Sequence, residues 1–148
     1  MDWKRIIARD RRGAAVHEAG HVVVARHFGC EIASAWIIPV DNPRPDETTW
    51  TGRVQIKPPA DPLARRMVGV AGEVAEHLWT SGWIEDFYPY AMSEGDRRLA
   101  GWDSEEPDDA LIDALLDAAA EVGRLLSRDG PQWQTLIAET RRLIVQSR

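Results

Sequence analysis

Two histidines and a glutamate near the N-terminus have the types and spacing that bind and use a metal ion. His17, Glu18 and His21 form the pattern HExxH within residues 14–28, AAVHEAGHVVVARHF, a segment that predicts a helix. On a helix the two histidines lie one turn apart on the same face, so both rings can reach one ion. Zinc lowers the pKa of a bound water toward about 7, and a neighbouring carboxylate can accept its proton. We therefore expect His17 and His21 to bind zinc and Glu18 to act as general base.

The motif alone is a weak signal, because it fixes only three positions. A partly exposed helix face with two ordinary histidines is the alternative, and His27 and His77 are interpreted as such ordinary histidines. Burying two histidines and a glutamate near a core face is costly unless they have partners, which favours a metal site. A catalytic zinc ion also needs a third protein ligand, while its fourth position stays open for water.

Three segments of the chain resemble the protease domain of the FtsH-type ATP-dependent zinc peptidases. They are HEAGHVVV at residues 17–24, GVAGEVAE at residues 69–76 and MSEGDRRLA at residues 92–100, in the order seen in that family. The resemblance extends over about residues 13–101. It implies that Asp96 is the third zinc ligand and that Glu76 orients a ligand histidine. Gly72 is small enough to let the two helices that carry the first two segments approach each other.

The chain departs from the family pattern at three points. FtsH-type proteins carry transmembrane segments and an AAA ATPase module, and we expect neither in this chain. The arginine and the second acidic residue that are usual in the family's acidic stretch are replaced, with Glu73 and His77 at the corresponding places. These departures concern ATP coupling and hexameric assembly more than metal binding. A separate ATPase partner and a homo-oligomer therefore both stay open.

The pattern of the remaining chain predicts one α+β domain over residues 1–148, mainly helical and zincin-like. Two β-rich runs separated by a proline-containing loop predict a small sheet or hairpin. The strands are predicted at 32–40 and 51–57, and further helices at 63–80, 94–101, 108–127 and 133–144. Asp61 and Ser93 are the expected N-caps of the helices that follow them. We expect a metal-site core at 13–101 and a C-terminal helical hairpin at 108–148.

The strand region is also the expected binding place for a substrate. In the resembled fold it borders the cleft, where an extended peptide could add to a strand edge by main-chain pairing. The candidate edge residues are Thr51, Gly52, Arg53 and Val54. The aromatic segment 83–91 either walls the substrate pocket or covers the core, and we favour cover because aromatic side chains usually pack.

Charge and composition limit the partners that we expect. A formal net charge of −6 argues against a general nucleic-acid binder, since binding to phosphates depends on clustered lysine and arginine. The basic residues of segment 4–12 are interpreted as a solvated terminal helix rather than a partner contact. Cys30 is the only cysteine, so no intramolecular disulfide can form. Without an apolar signal region or membrane-spanning run, we expect a cytoplasmic protein that does not bind membranes.

These observations favour a zinc-dependent metalloendopeptidase that hydrolyses peptide bonds of a polypeptide substrate. The first alternative is a non-catalytic, metal-stabilised peptide-binding or regulatory module of the same fold. A third interpretation is a phage-type or toxin-linked HExxH peptidase acting on one regulator. The complete motif favours an enzyme, because a degenerate copy could readily have lost Glu18.

Overall fold

The fold combines a small antiparallel sheet with a larger helical part, as the sequence predicts. A computed structural model describes residues 2–103 and 106–147, and within these ranges it has five α-helices and two β-strands. They are α1 (Trp3–His27), β1 (Ile32–Pro39), β2 (Trp50–Ile56), α2 (Pro62–Thr80), α3 (Glu94–Leu99), α4 (Asp109–Leu126) and α5 (Trp133–Gln146), with a short 3₁₀ helix at Pro89–Ala91. The α+β class and both strands are therefore confirmed.

Helix α1 is continuous from Trp3 to His27, so the terminal helix expected over segment 4–12 and the helix predicted over residues 14–28 are one helix. The Asp2 side chain accepts hydrogen bonds from the first backbone N–H groups of the helix, and no proline interrupts the basic segment that follows. This first half is largely exposed, whereas almost every residue from Ala15 to Ala25 is buried. A helix that is buried around most of its circumference lies at the centre of a fold, and the HExxH motif lies in this central half.

The two strands form one antiparallel ladder beside α1. The register pairs Trp36 with Arg53 and Ile37 with Gly52. Along β2 the side chains alternate between half-buried and exposed, because successive residues point to opposite faces. Both strands pack against α1, and β1 also contacts α5. One edge of β2 pairs with β1, and in the described ranges its other edge pairs with no strand.

Helix α2 lies between α1 and α4. Its N-cap is Asp61, whose carboxylate accepts a hydrogen bond from the backbone N–H of Ala64, as the sequence predicts. Both predicted C-terminal helices are present. However, α4 packs chiefly against α2 and α5 chiefly against α1, and the two contact each other only slightly. The C-terminal segment thus covers two sides of the α1–α2 pair.

Branched aliphatic side chains from four helices form the core. The largest that are fully buried include Val16, Val22, Val68, Val74, Leu115, Leu126, Leu136 and Leu143. In the aromatic segment, Phe87 is buried while Trp83, Tyr88 and Tyr90 are exposed, so the segment covers the core mainly through Phe87. Among the described residues, no helix is both long enough and apolar enough to cross a membrane.

Candidate metal centre

His17, His21 and Asp96 come together where α1 meets α3. The His17 Nε2 atom lies 2.8 Å from Asp96 Oδ2, and the His21 Nε2 atom lies 3.1 Å from Asp96 Oδ1. The two Nε2 atoms are 3.3 Å apart. The structure therefore brings together one donor atom from each of the three residues expected to bind the metal, all within 4.8 Å of one another.

The hydrogen bonds on the far side of each ring determine which nitrogen faces this cluster. The His21 Nδ1–H donates to the backbone carbonyl of Val68 at 2.8 Å, and the His17 Nδ1–H donates to Glu76 Oε1. In the neutral form of each ring this leaves a lone pair on Nε2, and protonation of the ring adds a proton there. Partners that orient the ring in this way are characteristic of metal-binding histidines. Glu76 is thus hydrogen-bonded to the first histidine of the HExxH motif.

The donor set fits a small divalent cation. Two unprotonated nitrogens and a carboxylate face one another, and three acceptors at such distances repel unless a proton or a cation lies between them. Two nitrogens bound to zinc at tetrahedral angles are about 3.3 Å apart. The Nε2 separation of 3.3 Å between His17 and His21 matches this value. Two imidazoles and one carboxylate also suit the chemistry of zinc.

Gly72 leaves the room that the two rings occupy. A Cβ atom at this position would lie 2.5 Å from the Nε2 atoms of both His17 and His21. Real Cβ atoms do not approach other atoms so closely, so any larger residue would displace both rings. The sequence predicted that Gly72 permits a close approach of two helices, and the structure shows that the atoms nearest to it are those of the two histidine rings. Its missing side chain leaves space for the Nε2 atoms of both histidines.

Asp96 reaches the histidines because hydrogen bonds hold both ends of α3 in place. Ser93 is the N-cap, and its hydroxyl accepts a hydrogen bond from the Asp96 backbone N–H, which confirms the predicted cap. The Arg65 guanidinium on α2 donates to the carbonyls of Arg98 and Leu99 near the other end of α3. These contacts fix the position of a helix only six residues long.

The cluster is strongly coupled electrostatically. Burial raises the pKa of Asp96, but the nearby His21 and His17 outweigh burial and hold it well below its usual range. Burial lowers the pKa of His17, but hydrogen bonds to Asp96 and Glu76 outweigh it and raise the pKa well above the usual value. The pKa of His21 is raised as well, because Asp96 outweighs burial there. In the metal-free protein, protons thus occupy the place that the donor set offers to a cation.

Glu18 lies beside the donor cluster and against the sheet. Its residue is 7% exposed, and burial raises the pKa of its carboxyl above the usual value. A Cβ at Gly52 would lie 2.5 Å from the Glu18 Cγ atom, so a side chain at this point of β2 would collide with the glutamate. Sequence analysis proposed Gly52 only as an edge residue. A glycine inside an alternating strand, often a sign of close approach, was the available signal for this packing role.

A cleft of about 1410 Å³ opens in front of these groups. His17, Glu18, Glu76 and Asp96 line it together with one continuous run of β2, residues 50–58. A cleft above one face of a sheet would be lined by alternate residues, whereas a cleft beside a strand edge is lined by successive ones. The free edge of β2 therefore borders the cleft. All four edge candidates lie in that run, and none of residues 83–91 lines the cleft.

The other two histidines lie apart from the cluster. His27 contacts the ring of Phe28, and His77 contacts the ring of Phe87. Neither belongs to the group of donor atoms, in agreement with their interpretation as ordinary histidines. Sequence reasoning did not identify the Val68 carbonyl as a partner of His21. A backbone carbonyl carries no residue-specific signal, so only the packing of α2 on α1 reveals it.

Comparisons with known proteins do not identify a family for this chain. The chain matches no protein-family model, and a search of curated proteins gives no match.

Proposed function

We propose that this protein is a zinc-dependent metallopeptidase, with His17, His21 and Asp96 as metal ligands and Glu18 as general base. One observation carries the proposal. The Nε2 atoms of His17 and His21 lie 3.3 Å apart and within 2.8 and 3.1 Å of the two Asp96 carboxylate oxygens, with Glu18 beside them, in a cleft bordered by a strand edge that pairs with no strand in the described ranges. A metal site, a base and an edge that can hold an extended chain are the parts that metal-assisted peptide hydrolysis requires.

The chemistry divides between the ion and the side chains. A bound zinc ion supplies a positive charge that acidifies a water molecule and polarises a substrate carbonyl. Glu18 accepts the proton as the water oxygen attacks the carbonyl carbon, and it donates that proton to the leaving nitrogen as the C–N bond breaks. Burial raises the pKa of Glu18 toward neutral pH. This makes its carboxylate a stronger base.

The remaining residues hold these groups in position. Val68 and Glu76 keep the Nδ1 protons of the two histidines occupied, so that the Nε2 atoms stay available for the metal. The free edge of β2 aligns an extended peptide by main-chain hydrogen bonds, with Thr51, Gly52, Arg53 and Val54 as the nearest candidates.

The proposal includes a zincin-like fold of the FtsH type. Its support is the placement of Asp96 on a separate short helix, after the long helix α2, where it meets two histidines of α1. We also propose a cytoplasmic location, for which support comes from a single cysteine that can form no disulfide within the chain.

Metal content and one conservative substitution test the proposal together. Purified wild-type protein should contain about one zinc ion per chain by elemental analysis, and a His17→Ala, His21→Ala double variant should contain almost none. Glu18→Gln should keep the zinc and lose cleavage of casein and unfolded polypeptides by roughly 100-fold or more, because its amide cannot accept the proton.

Two results would count against this function in different ways. Wild-type protein that takes up no zinc, even when zinc is added, would leave the HExxH pattern without a metal. Zinc and peptide binding without cleavage of a broad panel of substrates would replace the enzyme with the metal-stabilised binding module.

A further inference from the structure

The cleft is lined by charged residues of both signs, and the acidic and basic side chains differ in whether they have partners within the protein. The acidic residues among its lining are Asp10, Glu18, Glu76 and Asp96, and the basic residues are Arg9, Arg12, Arg53, Lys57 and Arg98. The lining thus has one more basic than acidic residue, although the protein has a formal net charge of −6. Which of these charges are free to meet a ligand depends on their partners.

The acidic groups of the cleft are engaged with the protein itself. Glu76 and Asp96 accept hydrogen bonds from the histidines of the metal centre, and Glu18 is buried beside them. The Asp10 carboxylate accepts hydrogen bonds from the backbone N–H and the hydroxyl of Thr49. These acids thus have structural or catalytic partners, and their charge is partly neutralised before any peptide enters.

Three of the basic side chains have no such engagement. Arg9 pairs with Asp10, and Arg98 pairs with Glu94. Arg12, Arg53 and Lys57 are exposed, and within residues 2–103 and 106–147 none of their three side chains makes a hydrogen bond, an ion pair or a ring contact. They are therefore available to a ligand in the cleft.

The positions of two of these cations set a spacing. Thr51, Arg53, Gln55 and Lys57 are exposed, whereas the residues between them are half-buried. Arg53 lies in β2 and Lys57 directly follows its last residue, and the alternating exposure continues through Lys57, so the two cations are on the same side, four residues apart. A peptide paired along the free edge places its own residues beside them one for one, with facing Cβ atoms about 5 Å apart. The two peptide residues opposite these cations are also four apart and share one face.

We propose that the cleft selects extended peptide segments with acidic side chains at positions i and i+4, held by Arg53 and Lys57 along the free edge of β2. Arg12 adds positive charge from the α1 wall of the same cleft. This inference rests on the proposed function in one respect, since it takes a polypeptide as the molecule that occupies the cleft. It adds a substrate class and a spacing that the metal centre does not specify.

Peptide binding tests the inference without depending on turnover. The zinc-loaded Glu18→Gln protein is titrated against fluorescein-labelled ten-residue peptides, and binding is measured by fluorescence anisotropy. One peptide carries glutamate at positions 4 and 8, a second at positions 4 and 7, and a third carries glutamine at 4 and 8. The first should bind roughly fivefold to tenfold tighter than the third and clearly tighter than the second, whose glutamates point to opposite faces. The advantage should shrink as salt is raised.

Matched variants assign the effect to the cleft. Combining Glu18→Gln with Arg53→Glu and Lys57→Glu should abolish the preference for the acidic peptide. Combining it with Lys4→Glu and Arg141→Glu, two exposed cations outside the cleft lining that give the same change in net charge, should leave the preference intact. Equal binding of the first and second peptides, or an equal loss of preference in the Lys4→Glu, Arg141→Glu protein, would overturn the inference in favour of unspecific charge attraction.

Cleavage of the same peptides by the wild-type protein separates this inference from the proposed function. Cleavage of all three peptides at equal rates, together with equal binding, would retain the peptidase and overturn the selectivity. Selective binding of the acidic peptide with no cleavage of any peptide would overturn the peptidase and support the selectivity.

Discussion

The metal centre and the free edge of β2 border one cleft but are built in opposite ways. At the centre, the rings of His17 and His21 each have a partner on both nitrogens, and Asp96 bonds to both rings. Along the edge and just past its end, the side chains of Arg53 and Lys57 are exposed and have no partner among the described residues. A cluster of mutually bonded, buried groups tolerates little change, whereas an exposed edge can vary without disturbing the fold. Metal binding and peptide selection should therefore be separable by substitution.

The largest expected effect comes from adding one methyl group to the metal centre. In Gly72→Ala the new Cβ would lie 2.5 Å from both metal-facing nitrogens, and it must displace them. We expect zinc affinity to fall roughly 100-fold or more, because an error in ligand position affects every bond to the ion. A competition titration with a fluorescent zinc chelator measures this, while circular dichroism shows whether the helices remain.

Gly13→Ala is the matched control for this substitution. Gly13 also lies within a helix and lines the cleft, but a Cβ there meets nothing within 4 Å. Alanine should stabilise α1 by up to about 1 kcal/mol and leave zinc affinity unchanged. Wild-type zinc affinity in Gly72→Ala would show that the rings can move, and the contrast between a rigid centre and a tolerant edge would be lost.

Site residues that are close together in the sequence could be predicted from it, whereas residues far apart in the sequence could not be predicted by local rules. His17 and His21 are one helical turn apart, so their convergence follows from local geometry. Asp96 is 79 residues away from His17, and no local rule links α1 to α3. It could be named only through the resemblance to a family. Likewise, the carbonyl of Val68 becomes a ring partner only through the packing of two helices.

The difference between local and long-range signals also explains which secondary-structure elements were predicted. Both strands and the capped starts of α2 and α3 were predicted, because alternation and capping residues are local signals. The continuity of α1 was not predicted, because the helix at 14–28 was inferred from apolar periodicity and the helix over 4–12 from its charged, solvated composition. The charged first half of α1 has little of this apolar pattern, and in the structure the Asp2 side chain caps its start.

A smaller effect is expected from Glu76, the partner of His17 on the outer side of the centre. Glu76→Gln keeps the size of the side chain and its ability to accept the Nδ1–H bond, but it removes the negative charge. The side chain of Glu76 is 43% exposed, so the fold should remain intact. We expect zinc affinity to fall roughly tenfold, since a charged partner strengthens the histidine as a ligand. The chelator titration used for Gly72→Ala measures this fall.

Rescue distinguishes orientation from charge at this position. If Gln retains most of the affinity while Glu76→Ala loses substantially more, the hydrogen bond to His17 matters more than the charge. If Glu76→Ala binds zinc as tightly as the wild type, Glu76 has no role in positioning His17. The tightly coupled centre would then consist only of the two histidines and Asp96.

The smallest effect is a dependence of zinc stabilisation on pH. In the metal-free protein the pKa values of His17 and His21 are raised above 6.5, because hydrogen bonds and charge from Asp96 outweigh burial. A raised histidine pKa stabilises the fold fully below pH 6.5, and this contribution is lost as pH rises through the raised value. The lowered pKa of Asp96 contributes stability above pH 3.8, which is lost only as pH falls through the lowered value.

Protons and zinc therefore stabilise the same centre under different conditions. At pH 5.5 the metal-free centre keeps both contributions, whereas at pH 8 the histidines are losing theirs and zinc no longer competes with as many protons. Zinc should increase the free energy of unfolding by about 1 kcal/mol more at pH 8 than at pH 5.5, or roughly 2–4 °C in Tm. Thermal denaturation with and without zinc at both pH values measures this difference. The His17→Ala, His21→Ala variant should show no such difference, because the groups that exchange protons for metal are gone. An equal zinc effect at both pH values in the wild type would mean that the ion binds elsewhere, away from the coupled histidines.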